Sequence, residues 1–95
     1  MRYRITADIK ARAASIGVTV KASDKKHKKM DVYRDGVYQA SIGDIRYPDY
    51  HIWLKKRGQQ YANERRRLYH ARHKDTSPMK NGKYTAGYLA KVLLW

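Results

Sequence analysis

The chain has 95 residues, and its 22 Lys and Arg against 8 Asp and Glu give a formal net charge of +14 and a pI near 10.2. A hydrophobic fraction of 42% is that of an ordinary folded domain, so disorder throughout is not expected and one compact unit over 1–95 is. With no cysteine present, disulfides and thiolate metal sites are excluded as well.

Met1-Arg2-Tyr3-Arg4 alternates charged and apolar residues where a secretory signal would run apolar, so secretion is not expected. No apolar run approaches the ~18–20 residues that a spanning helix needs, so no membrane partner is expected either. From Arg2 to Ile9 the alternation continues, with Tyr3, Ile5, Ala7 and Ile9 on one side, which is the period of a strand. The Ala-rich sequence from Asp8 to Ser15 also tolerates a helix. Ile16 to Lys21 alternates again and predicts a strand, and Ser23 to Lys29 reads as a polar, basic turn. The clearest local signal follows. Met30–Arg34 and Val37–Ile42 are β-rich runs flanking Asp35-Gly36, a dipeptide suited to the positive φ angles of a tight hairpin.

At Tyr47 the character changes. Pro48 suits the first position of a helix, and Tyr50, Trp53 and Leu54 recur at helical spacing up to Arg57. Gly58 ends or kinks that helix, and a second runs from Gln59 to His73 with Tyr61 and Leu68 on one side. Lys74 to Tyr84 contains Ser77-Pro78 and Asn81-Gly82 and reads as a loop. Thr85 can cap a last helix, Ala86 to Leu94, whose Tyr88, Leu89, Val92 and Leu93 face inward. The expected fold class is therefore α+β: a small antiparallel sheet with a β-hairpin, followed by two or three short helices. Residues 1–46 are mainly strands and 47–95 mainly helices, with Trp53, Leu54, Tyr61, Leu68, Leu89 and Leu93 in the core.

A cation excess of this size on a small body is self-repulsive, and a polyanion relieves the repulsion while releasing counterions. The phosphate backbone of nucleic acid is the expected partner. The densest cations are Lys55, Lys56, Arg57, Arg65, Arg66, Arg67, Arg72 and Lys74, with Glu64 the one acid between Lys55 and Lys74. Arginine pairs bidentately with phosphate oxygens, which favours grip over plain attraction. Three successive arginines spread over a wide arc of a helix, so they straddle a backbone and do not all enter one groove. The ordinary fate of a charge run is a solvated face; here the scarcity of acids argues against it.

Of the nine tyrosines, Tyr3, Tyr33, Tyr47 and Tyr69 interleave with arginines. Tyr47 and Tyr69 are candidates for stacking on bases, although most tyrosines belong to thin cores and strand surfaces. His70 and His73 share one side of a helix, but no acidic cluster accompanies them and no metal site is assigned. Asp44, Asp49 and Glu64 are scattered, no nucleophile–base or phosphate-cradle pattern appears, and so neither enzyme activity nor a cofactor is expected.

From Ile42 to Trp95 the sequence resembles a family of small basic proteins of uncharacterised function, encoded by large DNA viruses and some phages. The resemblance is carried by Ile42-Gly43-Asp44, Tyr47, Asp49-Tyr50, Tyr61, Arg65-Arg66, Tyr69, Ala71-Arg72-His73-Lys74, Thr85-Ala86-Gly87-Tyr88 and Leu93-Leu94-Trp95. It implies no catalytic residues. It does imply a virion or host-cell interior as the setting, with packaged genome as the polyanion. The alternative is a minor capsid protein that binds acidic surfaces of other virion proteins, alone or as an oligomer. The two readings divide on Leu93-Leu94-Trp95, which is either core or an exposed anchor.

Overall fold

The computed structural model describes residues 3–95. Its elements in chain order are α1 (Ala7–Ser15), β1 (Thr19–Ala22), β2 (Lys28–Arg34), β3 (Val37–Asp44), α2 (Tyr50–Arg57), α3 (Gln59–Arg72), β4 (Met79–Lys80), β5 (Lys83–Tyr84) and α4 (Ala86–Leu93). The fold is α+β: a three-stranded antiparallel sheet in the order β1-β2-β3, with four helices.

The predicted hairpin is present. Asp35 and Gly36 take φ values of 51° and 77°, the paired positive angles that a two-residue turn needs to match strand twist. Across it Met30 faces Ile42 and Val32 faces Ala40, and beyond Val32 the register shifts so that Tyr33 faces Tyr38. Gln39 is the extra residue of this bulge. Its side chain donates to the Val37 carbonyl (3.0 Å) and accepts from the Tyr84 amide (2.9 Å), pinning the short β4–β5 ladder to the sheet. That ladder, turning at Asn81-Gly82, lies inside the 74–84 segment expected to be only loop.

The N-terminal strand expectation is corrected. Residues 7–15 are helical because Thr6 caps the helix by accepting from the Ile9 amide, and because Ile9 and Ala13, four apart, then share one buried face. The alternation from Tyr3 to Ile9 was real but short, and alanine-rich sequence with a cap outweighs it. Arg2, where that expectation began, lies outside the described residues. The strand predicted from Ile16 begins later, at Thr19, since Ile16 and Gly17 close the helix.

One face of the sheet carries Met30, Val32 and Ile42. Against them pack Ile9 and Ala13 of α1, Val18, and Leu89, Leu93 and Leu94 from α4 and its end, all buried. Apolar surface removed from water is worth ~25 cal/mol per Å², and this cluster is the fold's buried apolar core. It does not include the residues expected of α2 and α3. Leu54 and Leu68 are 40% and 37% exposed, Trp53 and Tyr61 are half-buried, and only Tyr50 and Ala62 are buried on those two helices. α2 and α3 form a largely polar hairpin packed on itself, with Trp53 edge-on to Tyr61 at 5.0 Å.

Pro48 falls two residues before the first helical position, Tyr50, and does not occupy it as expected. Asp49, not Pro48, sets the helix start, accepting from the Ile52 amide at 3.0 Å as N-cap. The opposite oxygen of the same carboxylate meets Lys29 Nζ at 2.8 Å and accepts from the Tyr3 hydroxyl at 2.6 Å. The side chains of Lys29 and Asp49 are 3% and 1% exposed, so this is a buried ion pair. Beside it the Tyr50 amide donates to the Leu94 carbonyl (3.0 Å), and His51 Nε2 lies 3.0 Å from the Leu93 carbonyl. The first turn of α2 thus meets the last turn of α4, and groups left over at both helix ends pair with each other.

Candidate nucleic-acid interface

Gly58 separates the two cationic helices with φ 87° and ψ 172°, a backbone state essentially reserved for glycine. All eight predicted phosphate ligands sit on the resulting hairpin or just beyond it. Lys55, Lys56, Arg57, Arg67, Arg72 and Lys74 are exposed, and Arg65 and Arg66 are half-buried. Among the described residues only Arg67 of these eight has a carboxylate partner, Glu64, with Nε 3.1 Å from Oε2.

The three successive arginines diverge as helical geometry requires. Arg65 lies over Trp53 (5.8 Å to the ring centroid) and lines a groove of about 310 Å³ with Arg72, Tyr47, Tyr69 and Trp95. Arg66 lies over Tyr50 (4.2 Å) and lines a second groove of about 630 Å³ with Arg67, His70, Arg12, Lys91 and Trp95. α3 is the ridge between them. Arg57 covers Tyr61 at 4.6 Å, while Lys55, Lys56 and Lys74 lie outside both grooves.

Aromatic rings hold several of these cations in place, so less rotamer freedom remains to be lost on binding. The two stacking candidates differ. Tyr47 is 66% exposed at the mouth of the first groove. Tyr69 is packed within its own molecule, stacked on Trp95 (4.6 Å, 9° between planes) and 4.2 Å from the His73 ring.

Sequence reasoning missed four contributors. Arg12 and Lys91 come to the second groove from α1 and α4, far away in the chain, and no local pattern reports that. Trp53 and Trp95 were assigned to core or anchor, yet both line the first groove. Of the two, Trp53 pairs with an arginine, Arg65, and the dense cations that follow it in the chain were the available signal.

The chain matches no protein-family model, no curated protein and no solved structure.

Two local fields shape that charge. Arg46 bonds Asp44 through side chain and backbone and holds its carboxyl well below the usual range, so the acid at the first groove carries its own counter-cation. In the second groove, partial burial and the neighbouring Lys91 and Arg66 lower the His70 pKa below its ordinary 6.5. On the far sheet face Lys25 is occupied, donating to Tyr38, which donates to Ser41 and so to Asp31. No helix among the described residues is long and apolar enough to cross a membrane.

Proposed function

We propose that this chain is a non-catalytic nucleic-acid-binding protein that grips the phosphate backbone with the α2–α3 hairpin and does so largely without reading sequence. The observation that carries this reading is the set of seven cations, Lys55, Lys56, Arg57, Arg65, Arg66, Arg72 and Lys74, with no carboxylate partner among the described residues. Cations arranged along a ridge and its two flanks suit a polymer of regularly spaced phosphates better than a single small anion. The neutralisation of packaged genome within a virion is the setting implied by the resemblance of residues 42–95, and it is proposed on that ground alone.

A capsid-protein partner is the second reading, and its distinguishing feature was an exposed apolar ending. Leu93 and Leu94 are buried and Trp95 stacks on Tyr69, which favours the genome reading.

The test is binding to duplex and single-stranded DNA across a salt series. For duplex, log affinity should fall with log salt at a slope of about −0.9 per phosphate neutralised. Replacing Lys55 and Lys56, which hold no other group in place, by alanine should lower that slope by about 2 while leaving circular dichroism unchanged. A flat salt response would exclude phosphate gripping.

A further inference from the structure

The first groove sets Arg65 and Arg72 among aromatic and apolar residues, and its two other charged residues are paired elsewhere. Asp44 is bound to Arg46 and Lys29 to Asp49. Within the groove, Arg65 Nε and Trp53 Nε1 are buried and find no hydrogen-bond partner among the described residues. Buried donors left unpaired are costly, and both belong to residues that line this groove, where a small side-chain shift would give each an acceptor from outside. The two differ in kind. The charged guanidinium donor suits a phosphate oxygen, and the neutral indole donor suits a carbonyl or ring nitrogen. At the rim Tyr47 offers an exposed ring of the size of a base. A groove of about 310 Å³ is at the low end for ligand pockets, with room for one nucleotide and not for a stacked pair.

We propose that this groove takes a single unstacked nucleotide of a single-stranded nucleic acid, its base against Tyr47 and bonded to Trp53 Nε1, its phosphate on Arg65 and Arg72. The inference rests on the nucleic-acid reading above and narrows it: a duplex engages the ridge of α3 through phosphates only, because its bases remain in the stack. A single strand engages ridge and groove together, so it binds more tightly. Trp53 is a positioning and sensing group here, and no chemistry is done on the base.

Trp53 lines this groove alone while Trp95 borders both, so the emission of Trp53, read with a Trp95→Phe background carried in every protein, reports its occupancy. Full-length protein with and without Tyr47→Ala would be titrated, at matched ionic strength, with a short oligothymidylate, with its duplex with oligoadenylate, and with inorganic phosphate. The single strand should quench tryptophan emission and bind more tightly than the duplex. Tyr47→Ala should weaken single-strand binding about ten-fold and leave duplex binding unchanged. Trp53→Phe, which keeps a ring, removes the donor and is read by competition, should weaken it less. Equal weakening on both polymers, no quenching on a strand that does bind, or the same quenching by inorganic phosphate would each overturn the groove assignment while backbone gripping survives. If neither polymer binds at low salt, both readings fall together.

Discussion

Asp49 shows how far a residue's role can lie from its apparent chemistry. As one of eight acids in a basic chain it invites a catalytic or metal-binding reading, but its oxygens are spent on Lys29, Tyr3 and the first turn of α2. Burial together with this carboxylate also drives the Tyr3 hydroxyl far above the ordinary tyrosine range. Removing one partner of a buried pair leaves an uncompensated charge, so Asp49→Asn should cost about 3–5 kcal/mol in urea unfolding. The double variant Lys29→Met/Asp49→Asn should recover much of that, since a neutral pair has no stranded charge. His70 is a second case. Its pKa is lowered in the folded chain, so as pH falls below about 6.5 the unfolded chain takes up the proton first and stability declines. The decline ends once the folded-state value is passed. His70→Gln should abolish this component of a Tm-versus-pH profile as pH falls below 6.5, a region distinct from the carboxylates.

At the scale of elements, the hairpin at Asp35-Gly36 was legible because its turn chemistry is local and unambiguous. So were α3 and α4, one from its length and the other from Thr85, whose hydroxyl accepts from the Tyr88 amide. What the sequence hid was tertiary. Leu54 and Leu68 fall on the right helical spacing for a core, but the stripe they belong to meets solvent, since the sheet is already covered by α1 and α4. α1 was masked by a strand-like alternation of a few residues. The eight cations were readable, whereas the grooves dividing them were not, because Arg12, Lys91 and Trp95 arrive from other elements. Gly58 is the element-scale lever. No atom lies within 4 Å of a methyl group placed on it, so any penalty of Gly58→Ala is backbone strain. The variant should lose about 1–3 kcal/mol by denaturant midpoint and should alter the packing of α2 on α3, seen as a shift in Trp53 emission.

For the whole molecule, charge and stability are opposed. A net charge of +14 on a chain this small is relieved by few internal pairs among the described residues, where Lys29 is the one cation whose pairing is fully buried. A ligand that binds only the folded state adds RT ln(1 + [L]/Kd), so saturating polyphosphate or DNA should raise Tm by several degrees. Added neutral salt should stabilise the free protein by screening and should shrink the gain from DNA, and calorimetry at two salt concentrations checks both. A Tm indifferent to polyanion would contradict the binding reading at its root.

The meeting of Tyr50 and His51 with the carbonyls of Leu94 and Leu93 has a mechanical consequence. Two helices that borrow each other's terminal groups cannot fray separately, since loosening either one strips partners from its neighbour. A load applied to α3, through α2, reaches this shared joint and from there the sheet. A polymer seated on the cationic ridge should therefore slow deuterium uptake not only where it touches but also at the amides of α4, on the opposite side of the joint.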